Sequence, residues 1–260
     1  MSNAQLVLRQ ARFENKAFWR NPAAAFFTFA FPLLFLVIFS ALLGGGKSPL
    51  PSGEEIDSTT YFIPAILSFS VVTACFTNIA ISISFSRDEG ILKRLRGTPC
   101  PGWVYLAARV LHAIFVSTIL VVIVLLFGQI FYGVDIPLDT LPAFLLTLVV
   151  GAGAFCALGL AATCAVPSAE AAPAVVNVMV LPLLFLSGTF IPIGDDAPQW
   201  IPTFAGLFPI KHFLDAMFES FLPPPDNPSG LLWSSVVVIA LWGIAGLLIA
   251  ARFFRWERRR

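Results

Sequence analysis

The chain has 260 residues, 58% of them hydrophobic and 12% charged, with a formal net charge of +1 and a mean hydropathy of +0.86. So few charges cannot cover a soluble surface, whereas helices facing lipid need none, so the soluble globular classes are excluded. The near-neutral total carries no signature of nucleic-acid binding, and it hides a strong segregation of basic residues along the chain.

Residues 1–22 open with Arg9, Arg12, Lys16 and Arg20 against a single acid, Glu14, with Leu6, Phe13, Ala17 and Trp19 adding apolar bulk. This pattern predicts an amphipathic helix in the headgroup region, its arginines snorkelling and Trp19 at the interface. It does not read as a cleavable signal, because polar and amphipathic residues precede a first apolar run that is long enough to span. Residues 23–252 then form one membrane domain. About 20 helical residues cross ~30 Å of hydrocarbon, and six segments qualify: 23–43, 61–85, 106–132, 141–166, 173–193 and 231–251.

Span one holds Phe26, Phe27, Phe29, Phe31, Phe35 and Phe39, with Pro32 near its middle as an expected kink. An acidic loop follows, whose ALLGGGKS (Ala41–Ser48) imitates a phosphate-binding loop. The match fails at Ala41, where the first glycine belongs, and no following helix offers its N-terminus, so it reads as a helix stop and a flexible loop. Span two carries Pro64 and Asn78, and leads into Ser86–Trp103, SRDEGILKRLRGTPCPGW. Within this charged island Ile91, Leu92 and Leu95 share one side of a short helix, which Gly97, Thr98, Pro99 and Pro101 end. A loop that only sets topology has no need of an aligned apolar face, so residues 87–97 read as a docking helix.

Span three begins near Arg109 and includes His112 and Gln129. In span four Gly153, Ala157, Ala161 and Ala165 recur every four positions, a stripe that lets another helix approach closely. Span five contains Asn177, Pro182, Gly188 and Pro192. Residues 194–230 are apolar enough to suggest a span, but Pro202, Pro209, Lys211, Asp215 and Glu219 interrupt them, and charges at mid-bilayer cost several kcal/mol each. They read as a re-entrant pair of short helices. The second carries Ile210, Phe213, Leu214, Met217, Phe218 and Phe221 on one face, with Lys211, Asp215 and Glu219 on the other. Residues 253–260 are a basic tail.

The fold class is therefore all-α and polytopic, with six spans, an N-terminal interfacial helix and a re-entrant hairpin between spans five and six. Fourteen of the sixteen Lys and Arg residues fall on the side of the two termini and the charged island, leaving Lys47 and Lys211 opposite. The positive-inside rule then places both termini and the island in the cytoplasm.

Catalytic candidates are missing. There is no HExxH, no GxSxG and no CxxC; Cys75, Cys100, Cys156 and Cys164 sit in or beside apolar runs and read as small apolar residues. His112 and His212 lie a hundred positions apart and read as hydrogen-bonded interfacial residues, so no metal site is expected. Ionisable midplane groups of the kind ion-coupled transporters use are also missing. Phe31, Phe35, Phe39, Asn78 and Asn177 are candidates for an apolar substrate path, although the phenylalanines suit lipid contact or bundle packing equally well.

Two segments resemble a known family. Arg87–Thr98, RDEGILKRLRGT, with Pro99 following, is similar to the segment between spans two and three of the ABC type-2 transporter permeases, and of the daunorubicin-resistance drug-export type among them. Phe185–Pro192, FLSGTFIP, continues through Pro198–Trp200 to Phe208–His212, FPIKH, and resembles their hairpin region. The resemblance implies a non-catalytic, multi-pass permease of a bacterial cytoplasmic membrane that binds no cofactor itself. It implies a homodimer of permeases, membrane lipid around it, no nucleic acid, and two cytoplasmic ABC ATPase subunits that hold ATP and Mg²⁺. Glu89, Gly90, Ile91, Leu92, Arg94, Leu95 and Arg96 would form the coupling helix. Phe190, Pro192, Trp200, Phe208 and Phe213 would form an extracellular gate. The implied activity is ATP-driven export of a hydrophobic or amphipathic, drug-like or lipid-like compound. Export of a polysaccharide or lipid-linked glycan, or a channel or scaffold outside this family, stays open.

Overall fold

A computed structural model describes residues 2–49, 55–97, 101–193, 197–254 and 256. In chain order the helices are α1 (Asn3–Trp19), α2 (Pro22–Leu43), α3 (Ser58–Val72), a π-helical turn (Thr73–Thr77), α4 (Asn78–Asp88), α5 (Ile91–Arg96), α6 (Gly102–Tyr132), α7 (Leu141–Ala162), α8 (Ala172–Leu186), α9 (Trp200–Ala205), α10 (Pro209–Phe221) and α11 (Trp233–Phe253). Among the described residues, five stretches are long and apolar enough to cross a membrane: Pro22–Leu43, Ser58–Asp88, Gly102–Tyr132, Leu141–Ala162 and Trp233–Phe253. The chain is an all-α polytopic membrane protein.

Local chemistry sets the ends of these helices. Ser2 and Gln5 form a capping box on α1, with Gln5 N–H donating to Ser2 Oγ (3.3 Å) and Ser2 N–H to Gln5 Oε1 (3.1 Å). Asn21 caps α2 by accepting from Ala24 N–H at 3.2 Å, and Pro22 occupies the first helical position, where its missing N–H costs nothing.

Within the fifth expected span, 173–193, the helix is shorter than the apolar segment. Its helix, α8, has 15 residues, about 22 Å at ~1.5 Å per residue. A Schellman turn ends it. Gly188 sits at φ 90°, its N–H donates to Phe185 O at 3.3 Å, and Thr189 N–H donates to Leu184 O at 3.2 Å. Only glycine adopts that φ without strain, so the helix stops there although the apolar run continues.

The centre of the bundle is α3, whose residues from Tyr61 to Val72 are all buried. It is enclosed by α2, α6, α7 and α10. Alongside, α7 and α11 pack at close range. A Cβ on Gly243 would lie 3.0 Å from Ala154 Cα, and one on Gly246 2.9 Å from Leu158 N. This corrects the expected small-residue stripe. Ala157 lies in this seam, but Gly153 faces open space, and Ala165 is exposed beyond the end of α7. The close approach runs through Ala154 and Ala157, spaced by three rather than four.

The loop after α2 is also more ordered than expected. Lys47–Pro49 (β1) pairs antiparallel with Glu55–Asp57 (β2), setting Lys47 opposite Asp57, and Ser48 Oγ donates to Ser58 Oγ at 2.8 Å.

Between α8 and α11 lie two short helices. α10 turns Ile210, Phe213, Leu214, Met217, Phe218 and Phe221 into the core. On its other side Lys211 and Asp215 form an i,i+4 ion pair. Burial raises the Asp215 carboxyl above its ordinary range, and Lys211 opposes that rise. His212 bridges to α11, with Nε2 2.9 Å from Gly206 O and Nδ1 3.3 Å from Ser235 Oγ. A carbonyl only accepts, so Nε2 carries the proton and Nδ1 accepts from the serine. The other histidine differs: His112 Nε2 is buried without a hydrogen-bond partner among the described residues.

Candidate functional site

The charged island divides at Gly90. The preceding helix runs on through Asp88, so Arg87 and Asp88 end α4 instead of opening the docking helix. Glu89 is the C-cap, Gly90 turns the chain at φ 72°, and α5 begins at Ile91. Only glycine takes this left-handed corner cheaply.

Arg87 is 5% exposed and turned inward. Its guanidinium donates to Thr163 O at 3.0 Å and Val166 O at 2.8 Å, across the loop that leaves α7. A helix end leaves carbonyls unpaired, and here a cation from another helix satisfies the turn. Asp88 completes the clamp by accepting from Ala169 N–H at 2.7 Å, while its other oxygen lies 3.5 Å from Arg87 Nε. The end of span two and the loop joining spans four and five are thus held by three charge-assisted hydrogen bonds.

A second network joins this region to α6 and α1. Tyr105 OH donates to Ser86 Oγ at 3.0 Å. Arg109 donates through Nε to Tyr105 OH (3.0 Å) and through Nη2 to Ser86 Oγ (3.1 Å). Its guanidinium also meets Glu14 of α1 at 3.2 Å. Arg109 served in the sequence only as a count of topology-setting charge, and Ser86 and Tyr105 did not stand out. The available signal was the Tyr105/Arg109 pair, one helical turn apart beside an apolar run.

The apolar face expected to grip a partner lies elsewhere. Leu92 is fully buried in this chain's own core, and Leu95 packs half-buried against it. The same periodicity that aligns them directs them inward, because α5 folds back beneath α4 and α6. Ile91, Lys93 and Arg94 are exposed, as are Glu89 and Gly97. Arg94 also donates to Glu89 O at 3.3 Å, closing the corner. The side chain of Arg96, together with Thr98 and Pro99, lies outside the described residues.

Further along the bundle, the structure brings several path and gate candidates together. Phe35 contacts Phe31 (ring centroids 4.8 Å apart), Phe39 (5.6 Å), Phe69 (5.6 Å) and Phe190 (5.5 Å), and Phe39 stacks on Phe62 at 5.2 Å. Beside this cluster a groove of about 320 Å³ opens between α2 and the π-helical turn. Phe27, Phe31 and Pro32 line one wall; Ser70, Thr73, Thr77 and Asn78 line the other. A π turn inserts one residue into a helix and often marks a functional position; here it presents Thr73 and Thr77 to a groove whose lining is mostly apolar. Asn177 does not join it, being exposed on α8.

The gate candidates separate. Phe190 is buried in the aromatic cluster. Phe213 is fully buried against Phe155, at 5.2 Å, and is a core residue. Phe208 stacks on Trp242 at 6.2 Å. Trp200 is exposed and Pro192 half-buried.

Comparison with known proteins agrees with this architecture. Residues 6–222 match the family described as ABC-2 type transporter. A relative in Escherichia coli (strain K12) named as the multidrug ABC transporter permease YbhR is 24% identical over 201 residues, which is 76% of this chain and 54% of the relative. The chain therefore spans about half the length of that relative. The transport permease YvfS of Bacillus subtilis (strain 168) is 21% identical over 246 residues, covering 94% of this chain and 95% of the relative. With the match extending over most of its length, the chain belongs to the ABC-2 type transporter family.

Proposed function

We propose that this chain is the membrane-spanning permease subunit of an ATP-driven exporter, moving a hydrophobic or amphipathic compound outward across a bacterial cytoplasmic membrane. Two copies pair, and each engages a separate ABC ATPase subunit that holds ATP and Mg²⁺; this chain performs no chemistry of its own. Both termini and α5 face the cytoplasm. The observation that carries the reading is α5. It is a short helix presenting Ile91, Lys93 and Arg94 outward, mounted on a span whose end is clamped to two neighbouring elements.

Nucleotide can bias the permease only through contacts that differ between its states. A push on α5 enters α4 at Gly90. The Arg87 and Asp88 bonds carry it to the loop after α7, and the Ser86–Tyr105–Arg109 network carries it to α6. The groove beside the π turn, mostly apolar with Ser70, Thr73, Thr77 and Asn78 on one wall, suits a largely apolar cargo with a small polar part. The exposed apolar side of α2, including Phe26, Leu34 and Ile38, suits the second copy.

The test is co-purification with a candidate ATPase subunit, followed by ATP hydrolysis in bilayers with and without amphipathic compounds. Compound-stimulated hydrolysis that requires this chain is expected. Phe31→Ala should reduce the stimulation several-fold. Uphill transport by the chain reconstituted alone would overturn the reading.

A further inference from the structure

The surface of α1 divides cleanly by angle. Arg9, Arg12, Lys16 and Arg20 fall at intervals of three, four and four, within one side of the helix. Glu14, the sole acid, points the other way and is taken by Arg109. Arg12, Lys16 and Arg20 have no acidic partner among the described residues, and all three are exposed. Their charge is therefore unmatched among the described residues, on a helix whose apolar members mark it for the membrane interface.

Along the flank of this basic side, α1 and α6 leave a groove of about 330 Å³. Arg12 and Asn15 give it a polar lining, and Leu8, Leu111 and Phe115 give it apolar walls. Leu111 is 40% and Phe115 48% exposed, so apolar side chains of α6 stand open in the same groove as a cation. Asn15 spends its carbonyl oxygen on Trp19 Nε1 at 3.0 Å, which leaves its amide N–H groups for another acceptor. His112 forms part of the inner wall.

We propose that this groove is a specific site for one anionic phospholipid of the leaflet that holds α1. The lipid phosphate sits on Arg12 and the Asn15 amide, and an acyl chain lies along Leu111 and Phe115. Charge complementarity selects the occupant: a free anion would leave the apolar walls unused, and a zwitterionic lipid would bring a second cation toward a stripe that is already basic. Seated there, the lipid wedges α1 against α6 next to the Glu14–Arg109 contact. The site goes beyond the transport reading and needs neither ATPase nor cargo for its test.

The experiment titrates the purified full chain in neutral detergent with dioleoyl phosphatidylglycerol, dioleoyl phosphatidylcholine or inorganic phosphate, and counts bound lipid by native mass spectrometry. One phosphatidylglycerol per chain is expected, bound at least tenfold more tightly than phosphatidylcholine. Arg12→Gln should weaken it about tenfold. Leu111→Trp, which fills the groove without changing charge, should do the same. Arg20→Gln, which removes an equal charge from the same helix outside the groove, should change it less than twofold. Equal loss in Arg12→Gln and Arg20→Gln would replace the site by diffuse attraction to the basic stripe. Equal binding of phosphatidylcholine, full competition by inorganic phosphate, or an undisturbed Leu111→Trp variant would each overturn the proposal. Failure of ATPase stimulation would leave these results untouched, so the two readings fail separately.

Discussion

Replacing Arg87 by methionine tests the clamp at the base of span two. The side chain is almost wholly buried, and methionine matches its apolar stem, so the change removes the guanidinium and little else. Two bonds disappear, to Thr163 O at 3.0 Å and Val166 O at 2.8 Å. A hydrogen bond to a charged group contributes about 1.5–3 kcal/mol, so the gross loss is roughly 3–6 kcal/mol. Against that, the variant no longer desolvates a cation, which returns part of the loss and leaves a net of roughly 2–4 kcal/mol. Asp88 keeps its bond to Ala169 N–H but loses its neighbouring charge. We expect a melting temperature lower by about 5 °C or more in detergent, with faster amide exchange across residues 163–171 and at Ala169 most of all. Arg87→Lys, whose single ammonium cannot span both carbonyls, should fall between the two. A methionine variant that melts within about 1 °C of the parent, with unchanged exchange at Ala169, would refute the clamp and the route of transmission built on it.

Three other expectations concern separate parts of the molecule. Ile91→Asp combined with Lys93→Glu should abolish ATPase co-purification while shifting stability by less than about 0.5 kcal/mol, since both positions are exposed. Leu92→Asp should instead cost roughly 3 kcal/mol or more by burying an unpaired carboxylate, and the opposite pattern would return the grip to Leu92. A double-mutant cycle on Glu14→Gln and Arg109→Gln, read by thermal unfolding, should give a coupling of about 0.5–2 kcal/mol for partners 3.2 Å apart; additive effects would mean that α1 is held only by apolar contacts. For Asp215, a carboxyl raised by burial binds its proton more tightly in the folded chain than in the unfolded one. The hairpin should therefore be most stable below the ordinary carboxylate range and lose stability as pH climbs to the raised value, then level off. Unfolding followed from about pH 4 to pH 7 should show that slope in the parent and not in Asp215→Asn; the same slope in both would assign it to another group.

What the sequence disclosed and what it withheld follow from the range of each interaction. Spans declare themselves because lipid imposes one composition on every lipid-facing residue, and the α10 face was legible because Pro209 and the charges Lys211, Asp215 and Glu219 bracket it locally. Stops set by a single backbone conformation are harder to read. Gly188 sits inside an apolar run that continues to Ile193, and hydropathy is blind to φ. The docking helix shows a deeper limit. Periodicity establishes that Ile91, Leu92 and Leu95 lie near one side of a helix, but it holds no information about which side meets the parent bundle. That is decided at Gly90, where the chain turns back, and the result is that Leu92 and Leu95 serve the fold while Ile91, Lys93 and Arg94 face outward. The same reasoning applies to Arg87 and Arg109. Read one position at a time they are two more positive charges on the cytoplasmic side, yet each is committed to bonds with residues 76 and 23 positions away. The segment that receives Arg87 shows why no local signal announces it. The last helical carbonyls of α7 are met from within the same turn, Ala161 O by Cys164 N–H and Ala162 O by Ala165 N–H, each at 3.0 Å, while Thr163 Oγ1 donates to Leu160 O at 2.6 Å. Thr163 O and Val166 O lie beyond that helix, and it is these that the buried guanidinium of Arg87 takes, a match between distant segments that no pattern within Ala161–Ser168 spells out.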